Sequence, residues 1–112
     1  GVVVQAVQGG DLRLIEQAKV FAQAAAVVGA HGSNLANLVW LQEGAAVVEV
    51  HRPANERGPR YNNFWHTAVS LGMRYQFVTA ASGFVLTPPQ IEEIAGFLAG
   101  SLSLSNEKQR HN

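Results

Sequence analysis

The chain has no cysteine, one methionine and no excess charge of either sign: eight Lys and Arg balance eight Asp and Glu over 112 residues. Without cysteine there are no disulfides and no thiolate metal sites, and cysteine usage gives no reading of the redox compartment. A net charge of zero gives no electrostatic attraction to nucleic acid or to an anionic membrane. No apolar run approaches the roughly 20 residues needed to span a bilayer, and no signal-peptide pattern opens the chain. Charged residues make up only 14% of the sequence, against roughly 25% in ordinary soluble domains. A surface so poor in charge is expected to bury one side against another domain or to self-associate.

What is present is apolar and regularly punctuated. Hydrophobic residues make up 47% of the chain, enough for one domain with a modest core. Val2 to Val7 reads as a first strand, and Gly9-Gly10-Asp11 as a turn with Asp11 an N-cap. Leu14, Ala18, Phe21 and Ala25 then form a helical stripe. Ala25 to Val28 reads as a second strand, 34 to 42 as a helix with Leu35, Leu38, Val39 and Gln42 on one face, and Ala45 to Val50 as a third strand. Pro53 stops that strand, and Ala54 to Arg60 reads as a mobile loop. A helix over Tyr61 to Leu71, with Phe64, Ala68 and Leu71 inward, should close on Gly72 as its C′ residue. Arg74 to Thr79 is a fourth strand. Thr87-Pro88-Pro89-Gln90 is a capping box opening a last helix with Ile91, Ile94, Ala95 and Leu98 inward. Residues 101 to 112 lose the period and read as a disordered tail.

Strands alternating with helices of this length require parallel pairing through right-handed crossovers. The expected fold is therefore α/β, a Rossmann-like three-layer sandwich with a parallel sheet of about four strands, occupying residues 1 to 100. Ligands of such sheets bind beyond the carboxyl ends of the strands. There the sequence puts Gly29-Ala30-His31-Gly32-Ser33-Asn34, a sharp turn into a helix whose first N–H groups suit an anion. His31 is the leading candidate donor to a phosphate oxygen, with the backbone of Gly32, Ser33, Asn34 and Leu35 beside it. Ser33 and Asn34 equally suit helix capping, and Asn37, one turn in, either binds ligand or fastens loops.

Glu49 stands out because a carboxylate in an apolar strand is costly unless partnered. A ligand hydroxyl or a loop N–H would satisfy it. Arg52 either reaches a phosphate or pairs with Glu56 at the surface. His31, His51 and His66 lack the spacing of a metal motif, and no G-x-G-x-x-G, Walker lysine or G-x-S-x-G occurs. Trp40, Phe64 and Trp65 read as core residues rather than a sugar platform.

The segments GAHGSNLANLVW from Gly29 and VVEVHRP from Val47 resemble the C-terminal signature of glycosyltransferase family 61. That signature is a strand ending in G-P-H-G-A-G-L-T-N, a hydrophobic helix, and a strand ending in E-I-x-P. EQAKVFAQAAAVV and YNNFWHTAVSLGMRYQFV are similar to the flanking family segments, so the resemblance spans roughly residues 1 to 80. Ala30 stands where the family has proline, and Ser33-Asn34 where it has Ala-Gly.

The resemblance implies the donor-binding, C-terminal half of a two-domain GT-B enzyme. Such an enzyme transfers sugar from a nucleotide sugar, most often a UDP-sugar, to a glycan or protein hydroxyl, with inversion and no obligatory metal cofactor. Residues 1 to 100 would then be the donor domain, and an N-terminal domain preceding Gly1 would supply the acceptor side and the catalytic base. The chain alone is expected to hold nucleotide weakly and to transfer no sugar. The resemblance implies a Golgi or endoplasmic reticulum lumen if the protein is eukaryotic, and the cytoplasm if it is bacterial. A reading from another class stays open: a non-catalytic anion- or nucleotide-binding module.

Overall fold

The computed structural model describes residues 5, 12–58 and 63–110, with residues 33, 34 and 105–110 described in backbone only. The predicted strand at Val2 to Val7, apart from Gln5, and the turn capped by Asp11 lie outside the described residues. So do Tyr61 and Asn62, the first residues of one predicted helix.

The described residues form helix α1 (Leu14–Gln23), strand β1 (Ala26–Ala30), a 3-10 helix (Ser33–Trp40) and strand β2 (Ala46–His51). Helix α2 (Trp65–Ser70), strand β3 (Arg74–Thr79) and helix α3 (Pro88–Arg110) follow. The strands form one parallel sheet in the order β1-β2-β3, with Gly29 beside Glu49 and Glu49 beside Phe77. Three of the four expected strands are therefore present among the described residues. β2 is central and has all six residues buried, the polar Glu49 and His51 along with the apolar Ala46, Val47, Val48 and Val50.

The period-two geometry of β2 sorts its side chains between two cores. Val47 packs with Phe21, Leu35, Leu38, Leu41, Ala68 and Met73, under α1, the 3-10 helix and α2. Val48 and Val50 pack with Val78, Ala80 and Ile94, under α3. Helices thus cover both faces in the expected three layers. Sequential strands joined by crossovers on one face are what right-handed connections produce in a parallel sheet.

The segment after β1 is a 3-10 helix rather than an α-helix, and its buried residues explain why. Leu35, Leu38 and Leu41 are buried at a spacing of three, while Val39 is exposed. A period of three fits 3.0 residues per turn and not 3.6. The Val39 and Gln42 face of the predicted α-helix is therefore corrected.

The capping box at Thr87 forms in both directions: Gln90 N–H donates to Thr87 Oγ1 (3.3 Å) and Thr87 N–H donates to Gln90 Oε1 (2.9 Å). Beyond it, the inward face is Ile94, Phe97, Leu98 and Ser101. Ile91 and Ala95 are exposed, so the stripe begins one turn later than predicted. Because it still buries Ser101, the helix continues to Arg110, where the sequence suggested a disordered tail from residue 101.

Gly72 closes α2 as expected, with φ +76°. A Cβ there would lie 2.9 Å from Glu43 Cγ, so the glycine answers both a left-handed backbone and a close approach. Leu71 is exposed rather than inward. Trp40 and Trp65 are exposed too, which corrects their reading as core; Phe64 does pack partly against the first core. Leu14, first in the predicted α1 stripe, is exposed, whereas Phe21 is buried.

Candidate functional site

At the carboxyl ends of the strands, the face of β2 that buries Val47 goes on to present Glu49 and then His51, each two residues further along. Glu49 is 0% exposed and lies at the centre of a network drawn from four segments. His31 Nδ1 lies 2.5 Å from Glu49 Oε2. Tyr75 O–H (2.6 Å) and the backbone N–H of Phe64 (2.8 Å) donate to Glu49 Oε1. His51 Nε2 lies 3.2 Å from the same oxygen and 3.4 Å from Tyr75 Oη.

Burial alone would raise the pKa of this carboxyl. The bonds from Phe64 N–H, Tyr75 O–H, His31 and His51 outweigh that cost and leave it below the ordinary value of 4.5. Glu49 is therefore an ionised carboxylate at neutral pH. A carboxylate only accepts hydrogen bonds, so the Nδ1 contact assigns a proton to that nitrogen of His31 and fixes the plane of the ring. The buried charge is thus compensated by several donors at once, the condition under which such a group is tolerated.

Sheet register makes this convergence possible. His31 follows β1 and extends the ladder through its N–H to Val50 carbonyl oxygen at 2.8 Å. Gly29, level with Glu49, has no side chain; a Cβ there would meet Leu35 Cδ2 at 3.0 Å. The missing Cβ lets Leu35 close the core directly beneath the site. Gly32 is extended (φ 167°), a conformation open to any residue, so the sharp turn read from two glycines needs only Gly29, and for a packing reason.

The other predicted site residues separate by environment. The 3-10 helix begins at Ser33, as the cap residues implied; the side chains of Ser33 and Asn34 lie outside the described atoms. Leu35 is buried, and its N–H already donates to the Gly32 carbonyl oxygen (3.1 Å). Asn37 is buried, and its Nδ2 donates to Gln17 Oε1 (2.9 Å), fastening the 3-10 helix to α1. The oxygens of Glu49 are engaged by protein donors, so it acts on its surroundings through His31 and His51. Its ring partner His31 is 18% exposed in its side chain, the open edge of the network.

The guanidinium of Arg52 sits 5.0 Å from the centroid of Phe84, and Glu56 accepts a bond from Ser82 Oγ (3.0 Å). The segment read as a mobile loop is ordered over its described part: a 3-10 turn at Ala54–Glu56 precedes Arg57. Arg57 Nε donates to Arg52 carbonyl oxygen (2.8 Å), and its Nη2 donates to Thr79 Oγ1 (3.2 Å). Arg57 was missed because nothing in ANERGPR distinguishes it from a solvated arginine. Phe77 was missed as an ordinary strand residue, yet its ring stacks on His51 with centroids 4.9 Å apart and planes 13° apart. His51, Arg57, Gly58, Asn63 and Phe77 line a recess of about 350 Å³.

Among the described residues no group of three His, Asp or Glu is disposed to hold a metal ion, and no helix is long and apolar enough to cross a membrane. No curated protein and no solved structure matches the chain significantly. Residues 1–48 match the family model described as Glycosyltransferase 61. That match takes in His31 and its turn and stops one residue before Glu49. Over those residues, fewer than half of the chain, the sequence is similar to glycosyltransferase family 61, which supports a glycosyltransferase.

Proposed function

We propose that this chain is the donor-binding part of a glycosyltransferase, taking a nucleotide sugar, of which a UDP-sugar is the leading candidate, for transfer to a hydroxyl of a glycan or protein. The observation that carries this reading is His31, held by the buried Glu49 carboxylate (2.5 Å) at the carboxyl edge of a parallel sheet. That edge is where open α/β sheets bind ligands, and His31 lies in the segment that matches the family.

In the proposed reaction an acceptor oxygen attacks the anomeric carbon of the sugar while the bond to the nucleoside diphosphate breaks. A base on the acceptor side takes the hydroxyl proton, and the diphosphate leaves with the bonding pair. Negative charge grows on the leaving diphosphate; with Nδ1–H given to Glu49, the ring of His31 donates to it from Nε2 only as the doubly protonated imidazolium, already oriented and so without having to reorganise. Glu49 is the positioning residue: it holds the ring of His31 before ligand arrives. The acceptor base belongs, in this reading, to a separate acceptor-side domain.

Titration calorimetry with UDP, GDP and CMP tests the proposal. Selective binding of UDP is expected, with a dissociation constant on the order of 0.1 mM or weaker because one wall of a cleft supplies only part of the contacts. His31→Ala should weaken that binding by about 1–2 kcal/mol, the scale of one hydrogen bond to a charged group. Equal affinities in wild type and variant would count against the site.

A further inference from the structure

Helix α3 turns one face to the sheet and leaves the other to solvent. The inner face is fastened at intervals: Gln90 Nε2 donates to the Thr79 carbonyl oxygen (2.8 Å), Gln76 Nε2 donates to Glu93 Oε1 (2.7 Å), and Arg74 Nη1 donates to the Ser101 carbonyl oxygen (3.5 Å). Between those ties Ile94 is buried, and Phe97 and Leu98 are half-buried against the second core. On the other side Ile91 is 55% and Leu104 51% exposed, and Ala95, Gly96, Ala99 and Gly100 are exposed between them. Glycine in the middle of a helix is destabilising. At Gly96 and at Gly100 a Cβ would meet open space, so nothing among the described residues requires glycine at either position.

Residues four apart stack in a row along one side of an α-helix. The row through the two glycines reads Glu92, Gly96, Gly100, Leu104 and Lys108, on helical backbone throughout. Reversed and set against itself, the row is complementary: Glu92 meets Lys108, Leu104 meets the gap at Gly96, and Gly100 meets Gly100. A two-fold axis brings the same patch of both copies together, so the contact closes only where a surface complements itself. A parallel pairing would instead set Glu92 against Glu92 and Lys108 against Lys108. We infer that α3 is a homodimer interface, in which the helices of two copies cross antiparallel at Gly100, with Leu104 of each over Gly96 of the other and position 92 opposite position 108. The glycines let the two backbones approach closely, which gives them the reason that a single copy lacks. The charged ends set direction and register more than affinity. This inference is independent of the donor-binding reading: it uses neither His31 nor Glu49, and α3 lies outside the segment matching the family.

Sedimentation equilibrium of the 112-residue chain tests the pairing, over about 1 to 300 µM and at low ionic strength, where exposed charges are screened least. Wild type is expected to follow a monomer–dimer equilibrium. Gly100→Leu puts a bulky side chain at the crossing point and should weaken the dimer by about tenfold or more. In a single copy that side chain meets open space and leucine is the better helix former, so the melting temperature at low concentration should not fall. That second measurement separates a lost contact from lost folding. Glu92→Lys and Lys108→Glu should each weaken the dimer by roughly tenfold, because like charges then face each other at two symmetry-related places. An equimolar mixture of these two variants should dimerise like wild type, since each copy supplies the charge that the other lacks. Wild type that stays monomeric across the range overturns the inference. A dimer that Gly100→Leu leaves intact also overturns it, because its contact then lies on another face of the molecule. Charge variants that dimerise like wild type when each is alone, or a mixture of the two that fails to recover, overturn the antiparallel register.

Discussion

Replacing Glu49 by glutamine removes one negative charge from a fully buried position and keeps the shape. With its amide oxygen in the place of Oε1, the glutamine still accepts from Phe64 N–H and Tyr75 O–H, but its NH2 then faces His31 Nδ1–H, 2.5 Å away in the wild type. In the opposite orientation the NH2 faces Phe64 N–H and Tyr75 O–H instead. Either way at least one buried donor loses its acceptor or a histidine must change tautomer. The cost is about 1–3 kcal/mol for an unsatisfied buried group, so the melting temperature should fall by roughly 5–15 °C.

The pH dependence sharpens the test. The Glu49 pKa is lowered in the folded protein from an ordinary value of 4.5. Between those two values the unfolded chain binds a proton that the folded chain does not, so its contribution to stability is complete above 4.5 and is lost as pH falls through the folded value. Glu49→Gln cannot make that loss, and the other carboxylates are common to both proteins. Thermal melts at about pH 7 and about pH 3 should therefore show the stability gap between wild type and variant narrowing in acid. A gap of the same size at both pH values would refute the assignment of Glu49 as a buried, ionised hub.

Three further outcomes follow from the packing. Gly72→Ala places a side chain on a left-handed backbone and against Glu43 Cγ; chemical denaturation should show a loss of about 1–3 kcal/mol. Thr87→Ala removes the acceptor of the Gln90 N–H, and the same assay should register about 0.5–2 kcal/mol. Gly29→Val drives a branched side chain into the space of Leu35 Cδ2, with an overpacking cost of about 1–3 kcal/mol.

The sequence was most legible where a single local cause acts. The run into Ala46–His51 read as a buried strand because Ala45 to Val48 is apolar and Val50 follows, and Arg74–Thr79 was bounded by Gly72 and the following loop. The Thr87 capping box is a contact between residues three apart. The segment after β1 was harder. Leu35, Leu38, Val39 and Leu41 fit a period of 3.6 about as well as 3.0, and only the burial of Leu41 and exposure of Val39 choose between them. His31 and Glu49 each stood out alone, the one for its turn and the other as a carboxylate in an apolar strand. Their pairing spans 18 residues, and the donors from Phe64 and Tyr75 lie 15 and 26 residues away. Such convergence depends on strand register, which hydrophobic pattern fixes only as to face. Arg57 was opaque for a similar reason: its anchor on Thr79 crosses from the loop after β2 to the end of β3.

The central claim is a location, and a crystal structure of the chain soaked with UDP tests it most directly. The account predicts the diphosphate at the carboxyl edge of the β1-β2-β3 sheet, with a phosphoryl oxygen within hydrogen-bonding distance of the imidazole of His31. A nucleotide bound at the opposite edge of the sheet, or held away from His31 with the Glu49 network untouched, would contradict it.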